Sequence, residues 1–83
     1  MPSPDRDADL YLATTEVTTE LKGAMWKYPP MNTPHEGYAV ILEELDELWE
    51  QVRHKQVNHN KALMRAEAKQ VAAMAIRFMV DLT

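Results

Sequence analysis

The sequence predicts an all-α protein with three helices. Three stretches repeat apolar residues every three or four positions, which is the spacing of one face of a helix. Two breaks separate these stretches, one with paired prolines and one polar. A strong helix-start signal opens the second stretch. At 83 residues the chain is one small domain with a marginal core. We therefore expect homo-oligomerisation to complete the three-helix unit into a helical bundle.

The first helix is expected over residues 10–25, where Ala13, Val17 and Leu21 share one face. Residues 1–8 are polar and contain two prolines, so we predict a flexible N-terminal arm before a single domain over residues 9–83. Glu16 and Glu20 lie at i and i+4 on this helix and are most simply part of an exposed polar face.

The connector after the first helix reads WKYPPM over residues 26–31. Its paired prolines, Pro29 and Pro30, force an extended segment. Trp26 and Tyr28 have two explanations here: they stack on a flat ligand, or they cover the end of a small core.

The second helix begins with a capping signal and runs to about residue 52. Thr33 can cap the helix, Pro34 suits the first helical position, and Glu36 completes a capping box. Gly37 in the first turn costs helix stability, which predicts close approach by another segment. One broad apolar stripe follows, made of Tyr38, Ile41, Leu42, Leu45, Leu48, Trp49 and Val52.

The same helix is strongly acidic, with six acids and no lysine or arginine over residues 35–52. Glu44 and Glu47 lie one turn apart and flank the apolar stripe. Carboxylates crowded at the edge of a packing face repel one another and resist desolvation. A bound cation would remove this cost, and so would water.

The third helix is expected over residues 61–82, and Glu67 lies inside its apolar arc. A buried carboxylate is usually paired with a cation or a base. Gln70 follows at i+3, and Arg77 and Asp81 are most simply an ordinary i, i+4 salt bridge. Antiparallel packing of the second and third helices would bring four oxygen-bearing side chains together: Glu44, Glu47, Glu67 and Gln70. Such a set suits a hard cation, Mg²⁺ above all and Mn²⁺ as a substitute.

The charge balance narrows the function classes. The net charge of −4 gives no support for general binding to nucleic acid. Basic residues follow the acidic helix at Arg53, Lys55, Lys61, Arg65 and Lys69. An acidic helix beside a basic segment suits a metal–phosphate complex, but from charge alone two solvated faces of opposite charge are the simpler explanation. Without cysteine, a long apolar run or a leader, we expect a cytoplasmic protein with no thiolate metal site and no membrane partner.

The acids also carry a family resemblance. Residues 43–47, EELDE, read EExxE, and the next helix opens on Glu67. Over residues 26–82 this resembles the MazG-like, all-α nucleoside triphosphate pyrophosphohydrolases, especially the short proteins of phages and bacteria. The resemblance implies that Glu44, Glu47 and Glu67 are Mg²⁺ ligands, and that Glu43 supports the site or activates water. It also implies hydrolysis of a (d)NTP to a (d)NMP and pyrophosphate by a homodimer or homotetramer, in nucleotide-pool control or house-cleaning.

Two departures from the family pattern set the alternatives. Gln70 stands where the family usually has the aspartate of ExxD, and its amide oxygen can coordinate a metal but lacks charge. The sequence ends after the third helix where many members continue into a fourth, so we expect a partner subunit to supply that layer. Phosphate contacts are expected from Lys55, Lys61 or Arg65, and base contacts from the first helix or from Trp26, Lys27 and Tyr28. The rival hypotheses are a catalytically weakened nucleotide- or metal-binding module of the same fold and a plain helical oligomerisation protein.

Overall fold

The computed structural model describes residues 4–54 and 60–83 and contains three helices. They are α1 (Pro4–Lys27), α2 (Pro34–Val52) and α3 (Lys61–Leu82). No strand occurs in these residues, so the predicted all-α class is confirmed. Completion of the unit by homo-oligomerisation stays a prediction. Within the same residues, no helix combines the length and the apolar character needed to cross a membrane.

α3 is the central helix. α1 and α2 each pack along it, and in the described part of the chain they do not approach each other. α2 runs antiparallel to α3, because Gly37 near its start lies against Phe78 and Leu82 near the end of α3. α1 runs in the same direction as α3, since Glu16 pairs with Arg65 and, further along both helices, the Ala24 carbonyl accepts from Arg77. The two outer helices therefore leave a groove between them, with α3 as its floor.

The start of α1 differs from the prediction. The helix begins at Pro4 instead of residue 10, so residues 4–8 of the predicted arm are helical. Proline is favoured at the first position of a helix, and an acidic residue such as Asp7 is favoured in its first turn. These local signals outweigh the polar character that suggested an arm.

The predicted start of α2 is confirmed. The Thr33 hydroxyl accepts a hydrogen bond from the Glu36 amide at 3.1 Å, and the Glu36 carboxylate accepts one from the Asn32 amide at 3.1 Å. The close approach at Gly37 is also confirmed. A Cβ at this position would lie 2.6 Å from Cδ2 of Phe78 and 2.8 Å from Cδ1 of Leu82.

The core is small, and the apolar stripe of α2 only partly joins it. The buried apolar residues are Leu21, Met31, Ala73 and Met74, supported by Val17, Ala24, Val40, Ile41, Phe78 and Leu82. Because α3 approaches α2 along Gly37, it contacts one edge of the predicted stripe. Five stripe residues keep between 40% and 65% of their surface exposed: Tyr38, Leu42, Leu45, Trp49 and Val52.

A buried arginine fixes the α1–α2 connector onto α3. Arg77 is 5% exposed and donates to the carbonyls of Ala24 (3.2 Å), Tyr28 (2.8 Å) and Pro29 (2.7 Å). Its Nε also donates to Asp81 at 3.0 Å, so the predicted salt bridge exists but is buried. The Met31 amide donates to the same carboxylate, and this bond, together with the Arg77 guanidinium, lowers the pKa of Asp81.

Candidate metal centre

Three carboxylates meet where α2 crosses α3. Glu44 and Glu47 lie one turn apart on α2, and Glu67 lies opposite them on α3. One oxygen from each side chain lies within 4.8 Å of the others. Glu44 and Glu67 are half-buried and Glu47 is exposed. We call these three residues the acidic cluster; the metal predicted to bind it stays a prediction.

The acidic cluster is electrostatically strained. Burial raises the pKa of Glu44 to about 7, and repulsion from the carboxylates of Glu47, Glu67 and Glu43 adds to the rise. Burial also raises the pKa of Glu67, and the neighbouring Glu47 carboxylate contributes. Partial removal from water disfavours the charged forms, and each carboxylate disfavours the charge of the next. A proton or a cation at this place would relieve the repulsion.

The donor set fits Mg²⁺. Octahedral Mg²⁺ places its oxygen ligands about 2.1 Å from the ion, so neighbouring ligand oxygens lie roughly 3 to 4 Å apart. The separations within the acidic cluster need only small side-chain adjustments to reach that geometry. Three carboxylates would also leave coordination positions for water or phosphate oxygens.

Gln70, the fourth predicted ligand, lies beside α1. Its amide nitrogen donates to the Glu20 carboxylate at 2.5 Å. Glu20 is half-buried, so its assignment to an exposed polar face is wrong. The i, i+4 spacing of Glu16 and Glu20 placed both on one face of α1, but it did not show that α3 would cover that face at Glu20.

The groove between α1 and α2 has a volume of about 700 Å³ and reaches the acidic cluster at Glu44. Tyr28, Met31 and Met74 provide apolar wall, and Lys27 adds a positive charge near its rim. The Glu20–Gln70 pair also lines it. The cavity combines apolar surface with a few polar groups, which is typical of sites for small molecules.

The predicted phosphate-binding residues have different environments. Arg65 donates from Nε to Glu16 at 2.9 Å, and this pairing lowers the pKa of the Glu16 carboxyl. Lys61 is exposed at the start of α3, and Lys55 lies outside the described residues. Glu43 is exposed on α2 and is not one of the three clustered carboxylates. The structure does not test the roles predicted for these four residues.

The connector aromatics do not cover the core. Trp26 is 94% exposed and Tyr28 is 57% exposed, so the core-covering explanation is wrong for both. The connector is shorter than predicted, because Trp26 and Lys27 lie in the last turn of α1. Arg77 holds the backbone at Tyr28 and Pro29, and the Tyr28 side chain stays outside. Lys27 is exposed, with its ammonium 5.5 Å from the centre of the Tyr28 ring.

Comparisons with protein-family models, curated proteins and solved structures found no match to this chain. The resemblance to the MazG-like family therefore rests on the acidic motif and its spacing, and it stays a prediction.

Proposed function

We propose that this chain is a Mg²⁺-dependent nucleotide pyrophosphohydrolase that converts a (d)NTP to a (d)NMP and pyrophosphate. The single observation that carries the proposal is the convergence of Glu44, Glu47 and Glu67, with oxygens within 4.8 Å of one another. Folding places these acids where their charges are costly, which is typical of functional sites. The adjoining groove gives space for a nucleoside beside the acidic cluster.

In this proposal the acidic cluster holds the cation through its three carboxylates. Bound Mg²⁺ supplies charge neutralisation for the phosphates and favours ionisation of the attacking water. Water attacks the α-phosphorus, the bond from that phosphorus to the bridging oxygen breaks, and pyrophosphate leaves. Glu43, exposed next to the acidic cluster, accepts the proton that the water loses.

The remaining contacts orient the substrate. Lys61 and Lys55 bind the phosphates, and Arg65 joins them if it leaves Glu16. Lys27 and Trp26 contact the nucleoside at the open end of the groove. The active form is a homodimer or homotetramer in the cytoplasm, and its role is nucleotide-pool control or house-cleaning. The phage and bacterial proteins of the MazG-like family are the proposed relatives.

The test is release of pyrophosphate from a panel of NTPs and dNTPs, with Mg²⁺, with Mn²⁺ and with chelator. Wild type is compared with Glu44→Ala and with Asp46→Ala, which removes an exposed carboxylate from the same helix but leaves the acidic cluster intact. We expect metal-dependent release that Glu44→Ala abolishes and Asp46→Ala preserves. Folded, oligomeric protein that releases no pyrophosphate from any nucleotide would refute the enzymatic function.

One observation favours a second candidate, a binding module with weakened catalysis. Gln70 replaces a charged ligand, and its amide is engaged with Glu20. The acidic cluster then offers three carboxylates and lacks the fourth negative charge that the aspartate of ExxD would add. Mg²⁺-dependent nucleotide binding measured by calorimetry, without pyrophosphate release, would identify this function.

A further inference from the structure

The groove between α1 and α2 has a hydrogen-bond acceptor on its α1 wall. The Glu20 carboxylate lines the groove and is half-buried there. It accepts a hydrogen bond from the Gln70 amide nitrogen at 2.5 Å. An ionised carboxylate has about four lone-pair positions, so this bond leaves most of them for a ligand. Glu20 can therefore accept further hydrogen bonds from donors that enter the groove.

Gly23, one turn after Glu20, keeps the same wall flat. It lies inside α1, where glycine is less favourable than alanine. A Cβ at Gly23 would meet no atom of the described residues within 4 Å, so packing within them does not require glycine here, in contrast to Gly37. Gly23 lines the groove. Its missing side chain lets a flat ligand lie close to the backbone of α1.

The two walls of the groove fit the two ends of a nucleotide. Glu44 of the acidic cluster lines the α2 wall, and Glu20 and Gly23 line the α1 wall. Phosphates held at the acidic cluster would therefore direct the base toward α1. Tyr28 lines the same groove and is 57% exposed, so it offers an aromatic surface to the base.

The chemistry of Glu20 distinguishes the bases from one another. A carboxylate only accepts hydrogen bonds. Guanine presents two adjacent donors, its N1–H and its N2 amino group, which match the two oxygens of one carboxylate. Adenine and cytosine present one amino group on the corresponding edge. Uracil and thymine present one N–H between two carbonyl oxygens, and these oxygens would face the carboxylate without a donor between them.

We propose that Glu20 is the specificity-determining residue of the groove and that it selects guanine nucleotides. The base lies against the backbone of α1 at Gly23 and donates from N1 and N2 to the Glu20 carboxylate. Gln70 is a positioning residue, because its amide holds that carboxylate. This assignment rests on the proposed function, which places the phosphates at the acidic cluster, but base binding itself needs no hydrolysis.

Pyrophosphate release from dGTP, dATP, dCTP and dTTP with Mg²⁺ gives the first test. We expect wild type to have its highest kcat/KM with dGTP. Glu20→Gln keeps the shape of the side chain and an oxygen that can accept from Gln70, but it replaces one acceptor by a donor. It should lower kcat/KM for dGTP by about 10- to 100-fold and change that for dTTP little, because one bidentate contact gives discrimination of that size.

Asp9→Asn is the matched control for this test. It removes an exposed carboxylate from α1 outside the groove and should keep the preference for dGTP.

Calorimetry with dGMP and dTMP separates base selection from hydrolysis, since neither monophosphate has a phosphoanhydride bond to cleave. We expect wild type to bind dGMP more tightly than dTMP, and Glu20→Gln to remove the difference. Gly23→Leu should weaken binding of both, because its side chain would occupy the space proposed for the base. Circular dichroism of each variant checks that it is folded.

Base selection and hydrolysis fail in different ways. Pyrophosphate release with equal kcat/KM for all four bases, and equal binding of dGMP and dTMP, would overturn base selection and keep the hydrolase. Tighter binding of dGMP that depends on Glu20, without pyrophosphate release from any nucleotide, would keep base selection and overturn the hydrolase. A guanine preference that survives Glu20→Gln would overturn the role of Glu20, and unchanged binding by Gly23→Leu would overturn the placement of the base.

Discussion

Replacing Glu44 by glutamine should stabilise the metal-free protein, and the effect should depend on pH. Burial and the neighbouring carboxylates raise the pKa of Glu44 from 4.5 to about 7. The folded protein therefore binds this proton more tightly than the unfolded chain does. The contribution of Glu44 to stability is therefore greatest below pH 4.5, falls as the pH rises through about 7 and then levels off.

The size of the effect follows from the same pKa. A rise from 4.5 to about 7 corresponds to at most about 3 kcal/mol, since each tenfold change is about 1.4 kcal/mol. Glu44 is only half-buried, so solvent screening reduces the expected gain to about 1–2 kcal/mol. For a chain of this size that is a rise in Tm of roughly 5 to 15 °C.

Urea unfolding with chelator at pH 8 and at pH 4.5 measures this gain. We expect Glu44→Gln to be more stable than wild type at pH 8 and similar to it at pH 4.5. Asp46→Asn removes the same charge from an exposed position on α2 and should stay within about 0.5 kcal/mol of wild type. Added Mg²⁺ should stabilise wild type, by about 3 kcal/mol at a hundred times its Kd, and should stabilise Glu44→Gln less.

Two results would refute this reasoning. If Asp46→Asn stabilises as much as Glu44→Gln, the gain comes from net charge and not from the acidic cluster. If Glu44→Gln is destabilising at pH 8 with chelator present, the carboxylate makes a favourable contact that outweighs its burial and repulsion.

Three further predictions concern packing, ligation and the connector. Gly37→Ala should destabilise the protein by about 1 kcal/mol in thermal unfolding, because the clash with α3 outweighs the gain in helix propensity. Gly23→Ala, whose Cβ would have nothing within 4 Å, should stabilise it by about 0.5–1 kcal/mol. Stability changes of the same sign for both variants would contradict the α2–α3 geometry. Gln70→Asp should lower the stability of the metal-free protein by about 1–3 kcal/mol, because the hydrogen bond to Glu20 is lost. The same variant should bind Mg²⁺ more tightly in calorimetry, and an unchanged Mg²⁺ affinity would exclude position 70 from the metal site. Arg77→Met should cost at least about 3 kcal/mol in urea unfolding, because it removes the Arg77 donor from the buried Asp81 carboxylate and from three backbone carbonyls. An unchanged free energy of unfolding would show that Arg77 does not hold the connector on α3.

Local signals in the sequence predicted the helices well. α3 has the predicted bounds, with the Asn60 side chain accepting a hydrogen bond from the Leu63 amide at its start. α2 begins at the predicted cap because Thr33, Pro34 and Glu36 each act within one turn. The acidic cluster was predictable for a related reason: a short connection makes α2 and α3 antiparallel, and i, i+3 spacing puts Glu44 and Glu47 on one side.

Features that depend on how helices meet were not predictable in the same way. The spacing of apolar residues predicts the α2 stripe, but it does not predict which edge of the stripe faces α3. That edge depends on Gly37, because its missing side chain lets α3 come close. Gln70 follows Glu67 by one turn, which predicts it as a metal ligand, and this role stays a prediction. A helix in the centre of a bundle has neighbours on two sides, and the side facing α1 brings Gln70 to Glu20. No spacing within α3 reveals that second neighbour.

The acidic cluster and the exposed apolar stripe of α2 each lower the stability of the isolated chain. In the described residues, a core of four buried apolar side chains leaves little stability to offset three mutually repelling carboxylates. A monomer without ligands would bear both costs, the repulsion in the acidic cluster and the exposure of the apolar stripe of α2. A cation removes the first cost and a second copy removes the second, and α2 carries both surfaces. Under the proposed function, metal binding and dimerisation each stabilise the helix on which the other depends, so Mg²⁺ should tighten the dimer.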